Sequence, residues 1–519
     1  MLRSLWSFRY RILHLSWFAF FISFVVWFNI APLATTIQQD LGLTTEQLKV
    51  LAICNLALTI PARIVVGIIL DRFGPRLVFC ALLVFALIPC AIAATATTFN
   101  QLVWSSLATG IMGAGFVAGV RLVSEWFPSQ EIGLAQGIYG GWGNFGAAGA
   151  QFTLPALAVA TAFLSNVAVN WRLAVLLTGI AAALYGVVFF KSVEDTPPGK
   201  VYQRPQRHGA MSVTSAKSFW AMTALDFRML LSLGLLTFPL TQPQIHFLQG
   251  WQELVCWGFL AGLFILQAYK SWQVNREVAG SLNPFNSNFL KSNQIYPHTE
   301  RYHFRQVALL SFTYFTNFGA QLTVFSILPM FFEQTFALNR VTAGMIAAIS
   351  YPLLNLISRP SGGLISDKSG SRKWTMTLLT AGIGVGFLLM RRINSNWSLP
   401  MAICASLRDA TRTQQRFAIA VTLLCAYFVQ AGADATFSLV PLIKREITGQ
   451  IAGTVGAYGN VGGVVYLTVY DFTNTPTLFS TMGVVALICA SLCGFFLTEQ
   501  ECFRCRKQCY SKSRAEQLI

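Results

Sequence analysis

The sequence predicts an all-α polytopic membrane protein: two six-helix halves related by a pseudo-two-fold axis, with an apolar hairpin inserted in the loop between them. Three observations predict it. Hydrophobic residues make up 54% of the 519-residue chain and charged residues only 11%, against roughly 25% charged in soluble proteins; mean hydropathy is +0.55. The apolar runs are about 20 residues long, the length a helix needs to cross a ~30 Å hydrocarbon core, and they lack the alternating ~10-residue pattern of a β-barrel. Short motifs in the first half recur, in the same order, in the second.

The elements follow in chain order. The opening MLRSLWSFRYR leads into an apolar run too long for a signal peptide and without an obvious small-x-small cleavage site, so it begins the first span. Twelve main spans are expected, falling six and six: 15–35, 50–70, 77–96, 102–126, 133–163, 172–190, 306–334, 341–366, 374–391, 416–443, 449–470 and 476–498. Residues 1–190 then form the N-terminal half, 191–305 a central linker, 306–498 the C-terminal half and 499–519 a tail. The linker begins polar and turn-rich (EDTPPGKVYQRPQRHG) and then carries two further apolar stretches, near 225–240 and 252–269. Asp226, Arg228 and Pro239 weaken the first as a span, which tilts the reading of 225–269 towards helices lying on the membrane surface.

Charge sets the orientation. The net charge of +17 fits the positive-inside rule better than nucleic-acid binding, because the bases collect between and after spans. DRFGPR (71–76), 191–218 and 499–519 are basic, which places both termini in the cytoplasm of a plasma-membrane protein. One loop disagrees: Arg391, Arg392, Arg408, Arg412 and Arg416, against Asp409, fall on the side counted as outside. The eleven cysteines form no disulfide framework. Three lie in the tail sequence CFRCRKQC (Cys502, Cys505, Cys509), short of the usual four zinc ligands, so no metal or other cofactor is expected.

The internal repeat carries the functional reading. ARIVVGIILDRFGPR (62–76) and SRPSGGLISDKSGSR (358–372) share an Arg, then Gly four residues on, Asp four further, a base, and Gly and Arg at matched spacing. Arg63 and Arg359 are 296 positions apart, and Pro32 and Pro329 are 297 apart. GWGNFG (141–146) answers AYGNVG (457–462) at an offset of 316. Two such halves about an axis along the membrane normal, with substrate bound between them near mid-depth, is a transporter plan.

Gly67-x3-Asp71-Arg72-x-Gly74-x-Arg76 and Gly363-x3-Asp367-Lys368-x-Gly370-x-Arg372 resemble the loop 2–3 and loop 8–9 signature of the major facilitator superfamily. The paired aromatic-Gly-Asn-x-Gly segments of spans 5 and 11 resemble the signatures of its nitrate/nitrite porter family. The resemblance covers both six-span cores but not 225–269, whose length is similar to that in cyanobacterial permeases. It implies a secondary transporter for nitrate and nitrite in nitrate assimilation, with substrate-binding arginines in spans 2 and 8, aromatics in spans 4 and 7, and a hydrogen-bonding Asn in span 5.

The residues support an anion carrier in their own right. Arg63 lies eight residues before Asp71, roughly 12 Å along a helix, and Arg359 stands equally deep before Asp367. A charge at that depth costs at least ~2.5–3.5 kcal/mol and normally faces a cavity and a partner. Neither has an acid one turn away in its own span, so an anion between the two guanidinium groups is the missing partner; each Arg satisfying carbonyls of unwound helix is the alternative. The planar guanidinium matches two oxygens of flat nitrate. Tyr314 and Phe318, four apart on one helix face, and Phe116 could sandwich the ion. Asn144 and Asn460 could donate to it, and the glycines around them allow close helix approach. Asp71, Arg72, Arg76, Asp367, Lys368, Arg372, Arg121 and Glu125 are read as a cytoplasmic gate. Asp434, an intramembrane acid, could carry a proton or neutralise an arginine, with a fixed pairing to Arg121 or a polar helix contact as the alternative, so proton symport and nitrate/nitrite antiport both stand. The alternatives are another small monovalent anion as cargo, or a membrane anion sensor. An enzyme is not expected, since no P-loop, metal cluster or nucleophile–base pair emerges, and neither is nucleic-acid binding. The protein is expected to be a monomer.

Overall fold

Local chemistry sets where the helices start and stop. Thr44 with Gln47, and Thr98 with Gln101, form reciprocal capping boxes that satisfy backbone N–H groups left open by the first helical turn. Asn170 and Asn474 cap with their side chains. The computed structural model describes residues 8–164, 169–205, 210–213, 215–241, 243, 247–282, 302–338, 340–393 and 410–498, and among them every regular element is helical.

The N-terminal half contains α1 (Phe8–Leu41), α2 (Thr45–Phe73), α3 (Pro75–Ala94), α4 (Phe99–Trp126), α5 (Ile132–Leu164) and α6 (Trp171–Ser192). The linker supplies α7 (Ala216–Leu235) and α8 (Gly250–Leu282). The C-terminal half contains α9 (Phe304–Phe336), α10 (Arg340–Lys368, with a π turn at Ile349–Leu353), α11 (Arg372–Met390), α12 (Ala410–Phe437), α13 (Thr448–Phe472) and α14 (Thr475–Phe496). Gly74 and Gly370, the glycines shared by the two repeated motifs, have φ of 91° and 78°. Only glycine takes such values at little cost, and each turns the chain from one long helix into the next.

Eleven of these helices are long and apolar enough to cross a membrane, α8 among them. Of the twelve expected spans, α10 and α13 are the two outside that set. α10 carries Arg359, Asp367 and Lys368 together with several serines, and α13 is rich in glycine and threonine. They are the polar and small-residue helices of the site.

The halves meet along two seams, α2 against α13 and α5 against α10. Backbones touch at both: a Cβ on Gly67 would collide with the Gly449 carbonyl, and a Cβ on Gly363 with that of Gly133. The hairpin departs from the surface-lying expectation. Phe247, at its tip, packs edge-on to Phe99 at 5.7 Å, and Phe238 lies 6.0 Å from Phe472; both partners sit at the end of the bundle opposite Asp71. At the other end Asn275 holds the backbone of Met211 and Val213. The hairpin therefore runs the length of the bundle. Asp226, which argued against this, is answered by Gln267 of α8; Arg228 is exposed, and Pro239 falls in a short separate helix, Thr237–Thr241. Of the discordant basic loop, Arg391 and Arg392 follow α11 directly, while Arg408 and Asp409, like the tail cysteines, lie outside the described residues.

Candidate functional site

Four helices are irregular around one central region. α2 is interrupted at Leu58, α4 tightens into a 3₁₀ turn at Ile111–Ala114, α5 breaks at Phe145, and α10 widens into its π turn around Pro352. The local causes are legible: Gly110, Gly113 and Gly115 in α4, and a proline without an N–H in α10. Irregular turns free carbonyls and are frequent at functional sites.

Arg63 and Arg359 are both buried, at 1% and 0% exposure. Arg63 donates from Nε to the Gly113 carbonyl of the α4 turn (3.1 Å) and from Nη1 to Gly456 O of α13 (2.6 Å). The carbonyl-satisfying alternative thus describes Arg63, which also ties the two halves together. Arg359 differs. Its Nε donates to Asn355 Oδ1 (3.0 Å) and its Nη2 to Gln321 Oε1 (3.1 Å), while Nη1 is buried without a hydrogen-bond partner. Tyr314 lies between Phe116 and Phe318, the rings that flank Arg63.

The aromatics expected from sequence form one stack. Phe116 and Tyr314 are parallel with centroids 6.2 Å apart, and Tyr314 and Phe318 are parallel at 5.1 Å. Arg63 lies 5.6 Å and 5.3 Å from the Phe116 and Phe318 centroids, within cation–π range. Phe437 closes the stack edge-on, 4.6 Å from Phe116 and 4.7 Å from Tyr314. Tyr139 and Phe20 extend it behind Phe116. A cavity of about 40 Å³ lies alongside, lined by Asn144, Gln321, Asn355 and Tyr351 among phenylalanines. That is about three times what one water needs (~10–15 Å³), so it suits a small ion and excludes a sugar. Neither arginine is among its lining residues.

The two asparagines are unequal. Asn144 lines the cavity, but its Nδ2 donates to Gly140 O of its own helix at 2.6 Å. Both side-chain polar atoms of Asn460 are buried without partners. Asp434 is 1% exposed, and its Oδ2 has no hydrogen-bond partner. It sits by Arg359: a Cβ on Gly140 would lie 3.1 Å from Arg359 Nη1 and 3.8 Å from Asp434 Oδ1. It is not the partner of Arg121.

Arg121 belongs to a separate cluster at the motif end of the bundle. Asp71 accepts from the backbone N–H of Gly449 and Gln450, both at 2.9 Å, in the first turn of α13. Asp367 accepts from Gly133 (3.0 Å) and Leu134 (2.8 Å) in the first turn of α5. Each motif aspartate therefore caps a helix of the opposite half, where open N–H groups and the helix dipole favour a negative charge. Arg121 pairs with Asp71 (3.3 Å) and Glu125 (3.0 Å) and donates to the Arg445 carbonyl across the seam. Arg372 contacts Asp367 and the Ser129 carbonyl of the other half.

Three residues assigned to this gate from sequence do not reach it. Arg72 and Lys368 are exposed, and Arg72 lies over the Phe73 ring. Arg76 is spent on its own side of the seam: its N–H donates to Asp195 Oδ1 at the start of the linker and its Nε to Phe190 O, both at 2.7 Å. The following helix carries it away from the seam. The linker supplies unforeseen members: Lys200 pairs with Glu125 (2.5 Å), and Tyr202 donates to Leu70 O (2.8 Å) while accepting from Arg121 (3.0 Å).

Residues 16–274 match the pattern of the Major Facilitator Superfamily. The chain is similar to the nitrate/nitrite transporter NrtP of Nostoc punctiforme, 58% identical over 501 residues that cover 96% of this chain and 95% of that one. It is 47% identical over 537 residues to the protein of the same name in a Picosynechococcus species, covering 96% and 95%. With the high-affinity nitrate transporter 2.3 of Oryza sativa it shares 26% identity, over 92% of this chain and 75% of that one. Among solved structures it resembles the proton:xylose symporter XylE bound to 6-bromo-6-deoxy-D-glucose, with a TM-score of 0.57 and 13% identity over 95% and 96% of the two chains. That likeness shows the fold.

Proposed function

This chain belongs to the nitrate/nitrite porter family of the major facilitator superfamily, and from that premise we propose that it carries nitrate and nitrite by alternating access, the anion held between Arg63 and Arg359. It is a transporter and not an enzyme. The observation that carries the arginine assignment is the unpartnered Nη1 of Arg359 in a guanidinium with 0% exposure. A buried charged donor without an acceptor is costly, and a small anion between the halves removes that cost.

The parts act together as follows. Arg359 receives the anion first, because it has a donor to spare. Arg63 then exchanges the Gly456 carbonyl for an anion oxygen, which breaks a bond between the halves and frees them to rock. The Phe116–Tyr314–Phe318 stack covers the faces of a flat ion and keeps water out, and Asn460 offers an unused amide nearby. Release at the motif end requires the Asp71 and Asp367 caps to part from α13 and α5. The test is uptake of labelled nitrate into proteoliposomes, with competition. Saturable uptake blocked by nitrite is expected. Preferential competition by cyanate or formate points to a different small anion, and binding without flux points to a sensor; either outcome overturns the proposal.

Moving an anion into a negative-inside compartment costs ~2.3 kcal/mol per 100 mV, so accumulation needs a second flux. Asp434, beside Arg359 with an unpartnered oxygen, is the acid placed to carry a proton with the anion. Proton symport predicts nitrate-driven acidification of the vesicle lumen, and Asp434→Asn should abolish it. If the variant acidifies the lumen like the parent, Asp434 has no part in coupling and exchange becomes the better reading.

A further inference from the structure

The hairpin does not lie flush against the bundle. α7 is fastened to the C-terminal half, where Tyr458 Oη of α13 donates to Leu225 O at 2.6 Å; within the linker, Tyr302 Oη, two residues before α9, donates to Ser212 O ahead of α7 at 2.7 Å. α8 is held at its tip by Phe247 against Phe99 and at its root by Asn275. Between those points it stands off from α2 and α4 of the N-terminal half. The gap is a cavity of about 760 Å³, an order of magnitude larger than the central one. Its walls are apolar along most of their length, with Pro61, Ile64, Trp104, Met229 and Phe259 among them. The charged side chains lining it are Asp226 and Lys270.

We propose that this slot holds one phospholipid with an anionic headgroup, its acyl chains between the hairpin and α2/α4 and its phosphate at Lys270. Most of the wall is apolar, and an unfilled space forfeits dispersion contacts along it; in a bilayer the surrounding material is acyl chain. Lys270 lies twenty residues from Gly250 at the tip end of α8, roughly 30 Å along the helix. That is the thickness of a hydrocarbon core, so the ammonium stands at headgroup level on the side of the gate aspartates. Lys270 is exposed at the mouth of the slot, free to meet a phosphate. Asp226 spends its carboxyl on Gln267, and Lys270 is not among the charges acting on it.

The site has a consequence for transport. One wall, α2 and α4, belongs to the N-terminal half, while α7 is tied to α9 and α13 of the other and the hairpin meets the first half at its tip, through Phe247 and Phe99. Rocking of the halves must change the slot, so a bound lipid responds to the conformational state.

Native mass spectrometry of the full-length protein, extracted in mild detergent and supplied with phosphatidylglycerol or phosphatidylcholine, tests this. We expect one retained lipid per chain with phosphatidylglycerol favoured. Lys270→Glu, a surface change that leaves folding intact, should reduce that preference severalfold. Leu260→Trp, which fills the slot, should displace the lipid. Absence of a retained lipid, or retention that neither variant alters, overturns the proposal. So does labelling confined to other faces when a diazirine-tailed phosphatidylglycerol is photolysed on the protein. The outcome is independent of the cargo, because none of these measurements reads nitrate.

Discussion

Arg359→Lys should lower labelled-nitrate uptake at least about 30-fold at subsaturating substrate, with most of the loss in apparent affinity. Lysine keeps the positive charge but not the fork. In the native protein the fork divides its labour: Nε is held by Asn355 and Nη2 by Gln321, which aims Nη1 as a fixed free donor. A lysine ammonium cannot satisfy both amides and the anion from one rigid position. Truncating one partner of a desolvated charge pair costs about 2–5 kcal/mol, and 1.4 kcal/mol is tenfold. Arg63→Lys should lower uptake too, but with a larger share of the loss in maximal rate, since Arg63 bridges to Gly456 of the opposite half. Equilibrium nitrate binding and initial uptake rates, measured on both variants, separate the two effects. Transport at parental levels in both would show that the grip on the anion lies elsewhere.

Asn355 and Gln321 show how far the sequence could be read. Asn355 precedes Arg359 by four residues and so shares its helix face. Gln321 continues the stripe set by Tyr314 and Phe318 at i, i+4 and i+7. Both were within reach of periodicity alone, as was Phe437, one turn beyond Asp434. The spans were legible because bilayer thickness imposes a length on every crossing, and the repeat exposed the arginines by placing them at one depth twice. The aspartate caps were not legible. Asp71 meets α13 some 378 positions away, and no local pattern specifies a partner at that separation. The same holds for Arg76 and Arg372, which are equivalent in sequence and different in use: Arg372 crosses the seam and Arg76 stays on its own side of it. The hairpin misled for a physical reason as well. Asp226 looked too costly for a membrane element, yet a partner on the adjacent helix, Gln267, was outside any single-helix reckoning.

Gly363→Ala should shift the transporter out of the conformation described here, by roughly 5- to 150-fold. Its added Cβ would run into the Gly133 carbonyl, a backbone atom that cannot swing aside, and would sit 2.5 Å from Asp434 Oδ2. Overpacking of this kind typically costs about 1–3 kcal/mol, which is the range of a conformational coupling energy. The cost falls on the state in which α5 and α10 touch, and a state in which they have parted is spared it. The Asp367 cap on Gly133 and Leu134 lies at the same crossing, so prying the helices apart also loosens the charge that locks them. Hydrogen–deuterium exchange of the peptide carrying Gly133 and Leu134 should accelerate, and nitrate uptake should fall because the carrier returns less often to the closed form. Gly67→Ala should do the same at the α2/α13 seam, where the obstacle is the Gly449 carbonyl. Gly344→Ala is the control: it lies in the same helix as Gly363, and its added Cβ meets nothing within 4 Å. If Gly363→Ala exchanges and transports like Gly344→Ala, the seam is not a conformational contact and the aspartate caps are ordinary helix stabilisers.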